Sequence, residues 1–275
     1  MSTGAAASYN VTVTVSDGAL SNSKNFTWTT TSAPPAPPSL TGVDVGSVGL
    51  AGSSNVNATT GVFTVSGAGE DILFNADGFR FVYRSLQGDG EIKARVLSQT
   101  NTNPWAKAGV MIRENLTAGS RHAMMLVTPE NGFGLASRLV ANGPSDYVVG
   151  SALNPAPNNW VRLVRSGGTL TGYSSADGQS WTLVSAVTLS GLSPDTLIGL
   201  AVTAADSSQL STAAFDNVQI TGGTSSSGSL AGGDVGVVPV AGSTSFNATT
   251  GVYTVTSRTA GITGTADAFQ FARTQ

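Results

Sequence analysis

The sequence contains no cysteine, and this absence excludes several kinds of chemistry at once. Disulfide bonds, thiolate metal sites and cysteine nucleophiles all need a residue that the chain lacks. A domain of more than about 150 residues buries enough surface to fold without disulfides, so the absence does not argue against a secreted domain.

Charge and long apolar runs are also scarce. Charged residues make up 11% of the 275 residues, and the net charge is -3 at pH 7. The 13 Lys and Arg residues are scattered, so no basic stripe is present for binding a nucleic-acid backbone. No run of about 18 apolar residues occurs, so we predict no membrane insertion. The first residues lack the basic start and apolar stretch of a signal peptide, and we expect this chain to be a fragment of a larger extracellular protein.

Histidine occurs once, as His122. A Ser-His-Asp triad would have to use this residue, and no Gly-x-Ser-x-Gly nucleophile motif lies near it. A single histidine also cannot supply a zinc site built from several histidines. We therefore expect His122 to be a hydrogen-bonded structural residue.

The chain does contain an internal repeat with a period of 190 residues. Segment 57–65, NATTGVFTV, returns as NATTGVYTV at 247–255. Asp44 returns as Asp234, and Asp77 returns as Asp267. One offset that holds over this length, without a gap, indicates a duplicated structural module.

The repeat and two linkers divide the chain. A Pro-rich linker over 33–38 and a Ser/Gly-rich linker over 223–228 fall where the repeat places boundaries. We predict a complete module over 39–222 and the truncated start of a second copy over 229–275. Two alternating segments within 1–32 resemble the C-terminal hairpin of an immunoglobulin-like or cadherin-like domain, which would be truncated here.

Strand patterns dominate the predicted module. Segment 91–96, EIKARV, alternates polar and apolar residues, and similar short segments follow every ten to fifteen residues or so, separated by Gly or Asn turns. No amphipathic helix is evident. The sequence therefore predicts an all-β fold, an antiparallel jelly-roll-type β-sandwich with partial flanking β segments.

Several stretches of the module resemble a known family. They are GDGEIKARV at 88–96, PWAKAGVMIRE at 104–114, SADGQSWT at 175–182 and FDNV at 215–218. Together they resemble a concanavalin A-like, or laminin G-like, β-sandwich module related to the DUF1349 group of secreted bacterial multidomain proteins. The resemblance implies the fold, and for function it implies glycan binding or a spacer role, since a fold does not determine an activity.

A glycoside hydrolase needs two carboxyl groups that face each other across a sugar. The densest acidic spot is Glu70-Asp71, but the second copy has Ala260-Gly261 there, so the module does not require these carboxylates. The Glu-x-Asp-x-x-Glu strand of concanavalin A-like hydrolases is absent. We therefore predict that the module is not an enzyme.

Sugar binding needs an exposed aromatic ring with polar groups nearby, because the C–H faces of a sugar stack on rings. Trp105 follows a polar loop, Asn-Thr-Asn-Pro at 101–104, and is the best candidate platform, although a packing role is equally open. The candidate hydrogen-bonding residues around it are Lys107, Arg113, Arg138 and Tyr147.

A structural Ca²⁺ is a further possibility. Asp44, Asp77 and Asp216 are the candidate ligands, since calcium prefers several oxygen ligands. The alternative is that these aspartates cap turns.

Three functions remain open from the sequence. The first is a non-catalytic extracellular module that binds a polysaccharide or a cell-surface glycan, with a possible adhesion role beside other domains of the same parent chain. The second is a structural spacer, which the repeat and the linkers favour. The third is a glycoside hydrolase-type domain.

Overall fold

A computed structural model describes residues 7–30, 36–223, 231–235, 242–247, 252–257 and 269–273. The chain falls into two compact units, Met1–Pro37 and Pro38–Gln275. The described residues contain no helix, and therefore none that is long and apolar enough to span a membrane.

The first unit contains an antiparallel hairpin of β1 (Ala7–Ser16) and β2 (Ser21–Thr30). Asp17 closes its turn, because its Oδ1 accepts hydrogen bonds from the backbone N–H groups of Ala19 and Leu20 at 2.9 and 2.7 Å. Tyr9, Val13 and Phe26 are all about half exposed within this unit. The hairpin is one of the predicted flanking β segments, and its origin in an immunoglobulin-like or cadherin-like domain stays a prediction.

The second unit contains a continuous sheet of 13 strands. They are β3 (Thr41–Val45), β4 (Ser53–Val56), β5 (Phe63–Gly69), β6 (Phe79–Gln99), β7 (Lys107–Arg113), β8 (His122–Thr128), β9 (Gly132–Arg138), β10 (Asp146–Val149), β11 (Asn159–Ser166), β12 (Thr169–Ser175), β13 (Thr182–Thr188), β14 (Asp195–Thr203) and β15 (Asp206–Gly223).

Strand β6 is 21 residues long and belongs to both layers of a sandwich. Its first half pairs with β3 and β14, and its second half pairs with β11 and β15, always antiparallel. One layer therefore runs β3-β6-β14-β7-β8-β9-β10, and the other runs β4-β5-β15-β6-β11-β12-β13. The predicted antiparallel β-sandwich is confirmed.

The main core lies between the two layers. Strand β11 alternates buried and half-buried residues along its length, as a strand with one core face must. Phe63, Phe133 and Phe215 are the largest apolar side chains in this core, each at most 3% exposed.

Strands β7, β8 and β9 are buried on both faces. On the face away from the main core they contribute to a second cluster, which consists of Val45, Ile72, Phe79, Phe81, Met111, Met124, Leu126, Ala136 and Ala201. A strand that is buried on both sides loses its polar alternation. This explains the unbroken apolar runs of β7 and β8.

The second copy of the repeat contributes four described strands, β16 (Ala231–Val235), β17 (Ser243–Asn247), β18 (Val252–Thr256) and β19 (Phe269–Arg273). Strand β16 pairs with β19 and β17 pairs with β18. Val235 pairs with Phe269 as Val45 pairs with Phe79, so the β3–β6 register recurs at the same offset of 190 residues.

Residues 70–78, called here the 70s loop, join β5 to β6 and cover the second cluster. Ile72 anchors the loop, because its side chain is fully buried in that cluster. The two ends of the loop meet at Thr203, whose hydroxyl oxygen lies 3.1 Å from the carbonyl oxygen of Gly69 and 2.9 Å from that of Gly78.

The close approach of these loop ends requires glycine at position 69. Gly69 has φ +115°, and a Cβ there would lie 2.0 Å from the carbonyl oxygen of Gly78. We expect Gly69→Ala to lower the free energy of unfolding by roughly 3 kcal/mol or more, measured by urea denaturation. The control is Gly61→Ala, where φ is +71° but no atom lies within 4 Å, and the loss should be only about 1 kcal/mol. Equal losses for the two variants would contradict the proposed role of the contact.

Candidate functional site

A groove of about 420 Å³ opens over one end of the second cluster. Its volume falls within the range of about 300–1,000 Å³ that is usual for small-molecule sites. The 70s loop, the loop between β6 and β7, and strand β10 provide most of its wall. The lining residues are Glu70, Asp71, Leu73, Phe74, Asn103, Trp105, Lys107, Tyr147 and Ala205.

Trp105 lies in this groove with 43% of its surface exposed. Its loop is fixed by side-chain hydrogen bonds. The backbone N–H of Trp105 donates to Asn103 Oδ1 at 2.9 Å, and Asn131 Nδ2 donates to the carbonyl oxygen of Pro104 at 2.8 Å. The loop that carries the indole is therefore held by contacts within the protein.

Tyr147 packs edge-on against Trp105, with ring centroids 5.6 Å apart and an interplanar angle of 86°. Its ring crosses β9 at Gly134, where a Cβ would lie 2.1 Å from the phenol oxygen. Only glycine leaves room for the ring at this point. Burial, aided by the charge of Asp71, raises the pKa of Tyr147 to about 12, so the phenol stays neutral at physiological pH.

Lys107 and Asp71 form the charged part of the groove wall. Lys107 Nζ donates to Asp71 Oδ1 at 2.5 Å and to the carbonyl oxygen of Trp105 at 3.0 Å. Because Lys107 is only 1% exposed, it neutralises Asp71 and supports Trp105, and it does not present a free ammonium group to a ligand.

Phe74 is the most exposed aromatic side chain of the groove, at 68%. Its φ is +54°, a left-handed conformation that non-glycine residues rarely adopt. Its carbonyl oxygen accepts hydrogen bonds from Ser145 N at 2.9 Å and from Arg138 Nη2 at 3.0 Å. Sequence reasoning missed Phe74, which ends the apolar Ile-Leu-Phe run at 72–74.

Arg113 and Arg138 do not line the groove, and the prediction that they contact a ligand is corrected. Both side chains are fully buried beside Asp77. Arg138 Nη2 lies 2.7 Å from Asp77 Oδ1, and Arg113 Nη1 lies 3.3 Å from Asp77 Oδ2. Together with His122 these residues form what we call the Asp77 cluster.

Arg113 also donates to the carbonyl oxygens of Asn115 and Thr117 and to Met111 Sδ. Burial lowers the pKa of Arg113 to about 10, so it remains charged at neutral pH. Arg138 joins the 70s loop to the segment that precedes β10, and it is therefore a positioning residue for Phe74 and Tyr147. Its carbonyl acceptors belong to Leu73, Phe74, Ala118, Ser120 and Gly143.

The three candidate calcium ligands lie apart. Asp44 forms a cross-strand ion pair with Arg80 at 3.3 Å, and Asp216 forms a bidentate pair with Arg95 at 2.8 and 2.5 Å. Asp77 is held in its own cluster. No group of three or more His, Asp or Glu side chains suited to a metal occurs among the described residues. The structure thus does not bring the three together, and calcium at any one of them stays a prediction.

Residues 53–222 match a protein family described as "Protein of unknown function (DUF1349)". No curated protein matches the chain in sequence.

Several solved structures are similar. A functionally unknown protein from Saccharomyces cerevisiae has 18% identity and a TM-score of 0.52, covering 67% of this chain and 97% of its own. The GH43 BlXynB protein from Bacillus licheniformis has 13% identity and a TM-score of 0.48, covering 59% of this chain, which spans 33% of that protein. The carbohydrate binding module CBM66 from Bacillus subtilis has 15% identity and a TM-score of 0.44, covering 65% and 94%. The yeast likeness supports the sandwich fold, and none of the three bears on the ligand.

The Asp77 cluster makes stability depend on pH through His122. Burial, with smaller effects of Arg113 and Arg138, lowers the pKa of His122 from 6.5 to about 4, while the charge of Asp77 opposes the shift. Between these values the unfolded chain binds a proton that the folded chain does not. The free energy of unfolding is therefore not reduced by His122 above pH 6.5. Between pH 6.5 and pH 4 it falls by about 3 kcal/mol because of this residue.

We expect urea unfolding to show this loss for the wild type, on top of any contribution from carboxyl groups. The control is His122→Asn, which keeps a side-chain N–H near the Ser120 carbonyl but cannot titrate. It should be less stable at pH 7 and should lose about 3 kcal/mol less than the wild type between pH 7 and pH 4. Parallel curves for the two proteins would disprove the assignment.

Proposed function

Since the chain belongs to the DUF1349 family, whose description assigns no activity, we propose a function from the groove itself: a non-catalytic module that binds a carbohydrate. We propose further that the module acts outside the cell, where polysaccharides and surface glycans are found, and that it can serve in adhesion.

The observation that carries this proposal is the pairing of exposed rings with polar side chains in one groove. Trp105 and Phe74 offer exposed aromatic faces, and Glu70 and Asn103 offer hydrogen-bonding groups beside them. A pyranose has apolar C–H faces and a rim of hydroxyl groups, so it matches a site of this composition. Because the Trp105 loop is held by hydrogen bonds within the protein itself, little ordering free energy is lost on binding.

A spacer role explains less of the structure. A spacer needs no exposed ring, yet Phe74 is held in a strained conformation with most of its ring in solvent. Strained backbone of this kind tends to occur at functional sites.

Hydrolysis is also less well supported than binding. A glycosidase needs one carboxylic acid that donates a proton to the leaving oxygen. Asp71 Oδ1 instead accepts hydrogen bonds from Lys107 Nζ and from the backbone N–H of Ile72 at 2.7 Å, so donors within the protein already occupy this carboxylate oxygen. We therefore propose that the groove binds the glycan and does not cleave it.

A glycan array with plant, algal and bacterial polysaccharides, probed with and without calcium, tests the proposal. We expect binding to at least one glycan, with an affinity that falls at least tenfold, or about 1.4 kcal/mol, in Trp105→Ala. The matched control is Trp160→Ala, because Trp160 lies on β11 outside the groove, and it should bind as the wild type does. Incubation with the bound glycan should release no reducing ends.

Failure to bind any glycan, or equal losses in the two tryptophan variants, would contradict carbohydrate binding in the groove. Release of reducing ends that depends on Asp71 would replace binding with hydrolysis. Loss of binding on calcium removal would place an ion in the site.

A further inference from the structure

The 70s loop supplies four of the nine residues that line the groove. They are Glu70, Asp71, Leu73 and Phe74. Between them, Ile72 points into the second cluster and is fully buried. The loop therefore has one set of residues that anchors it and another that faces the groove.

The internal repeat separates these two sets. At the offset of 190 residues, the buried side chains of the loop and of the start of β6 return unchanged, and the four groove positions of the loop all differ. The two ends of the loop also differ, with Thr259 at the position of Gly69 and Ala268 at that of Gly78. The unchanged pairs are Ile72 and Ile262, Asp77 and Asp267, Phe79 and Phe269, and Phe81 and Phe271. The changed pairs are Glu70 and Ala260, Asp71 and Gly261, Leu73 and Thr263, and Phe74 and Gly264.

Position 74 is the clearest of the changed positions. Phe74 has φ +54°, and the second copy places Gly264 at the matching position. Glycine adopts positive φ without a steric penalty, whereas a residue with a Cβ does not. The module thus carries a ring at a position where the backbone favours glycine, and the ring faces the groove.

The charge of the groove comes from the same loop. Asp71 is neutralised by Lys107 at 2.5 Å. The Glu70 side chain is exposed and has no hydrogen bond or ion pair with any residue in the described part of the chain. The groove therefore carries one uncompensated negative charge, which repels anions and attracts cations at short range.

We propose that the 70s loop determines which sugar the groove accepts: Phe74 provides a stacking ring and Glu70 provides the charge, so that the groove binds uncharged or amine-bearing sugar units and disfavours uronate and sulfated ones. This inference rests on the proposed carbohydrate binding.

Three β-1,4-linked hexamers, of glucose, glucosamine and glucuronate, test the charge. By calorimetry at low salt we expect the wild type to bind the glucuronate hexamer at least about tenfold more weakly than the other two. Glu70→Gln should strengthen binding of the glucuronate hexamer and weaken that of the glucosamine hexamer, with little effect on the glucose hexamer. Asp89→Asn, the same charge change on β6 outside the groove, should alter none of them. Equal effects of Glu70→Gln on all three hexamers, or none, would overturn the role of Glu70.

Two substitutions of one residue test the ring. Phe74→Gly and Phe74→Ala both remove it, but only Phe74→Gly also relieves the positive φ. We expect both variants to lose about tenfold in affinity for the glucose hexamer, with Phe74→Gly melting at a higher temperature than Phe74→Ala. Unchanged affinity in Phe74→Gly would overturn the role of the ring, whatever its melting temperature.

Binding measurements on Trp105→Ala distinguish a failure of the proposed charge preference from a failure of the proposed carbohydrate binding. Trp105-dependent binding that is confined to anionic glycans would overturn this inference and leave carbohydrate binding standing. The wild type could instead bind other neutral or amine-bearing glycans and none of the three hexamers. In that case, binding of anionic glycans by Glu70→Gln would support the charge preference, and failure of this variant to bind them would overturn the preference. Absence of binding to every glycan would overturn both.

Discussion

The groove depends on the buried carboxylate of Asp77. Two guanidinium groups lie beside it in the interior, where an unpaired charge is costly. The carboxylate compensates one of the two positive charges. The carbonyl groups that accept hydrogen bonds from the arginines stabilise the other. Those carbonyls belong to loops, which have no strand partner to satisfy them. The cluster therefore takes the place of secondary structure behind the groove, and it holds the 70s loop and the segment before β10 in one arrangement.

The sheet beneath the groove is covered on both faces. One face packs into the main core, and the other carries the second cluster together with the Asp77 cluster. A loop covers the second cluster, so the residues that face solvent there are free of the alternation that a strand imposes. Because Ile72 and Asp77 anchor the loop, its solvent-facing residues can change while the buried cluster beneath the loop stays the same.

The sequence predicted the sandwich well, because half-exposed strands such as β11 show their alternation directly. It also identified Trp105 and Tyr147, which the structure brings together. Arg113 and Arg138 were misplaced because a charged residue in an apolar strand has two physical explanations, a surface position or a buried partner. The partner of Arg138 lies 61 residues away in the chain, and no local pattern reveals it.

Glu70 and Asp71 were set aside for a different reason. Their absence from the second copy indicates that the fold does not need them, and this was taken to mean that no site needs them. The groove shows that a carboxylate can line a candidate site without being needed for the fold. Phe74 was missed because nothing in the Ile-Leu-Phe run at 72–74 indicates that Ile72 is buried while Phe74 is exposed.

Strand β6 also pairs with both ends of the module. The chain enters the sandwich at Thr41, which pairs with Tyr83, and leaves at Gly223, which pairs with Gln87. Tyr83 and Gln87 are only four residues apart on β6, roughly 13 Å at the rise of a strand. The two ends of the module are therefore hydrogen-bonded to one strand at neighbouring points. The stretch of β6 between these points contributes no residue to the groove.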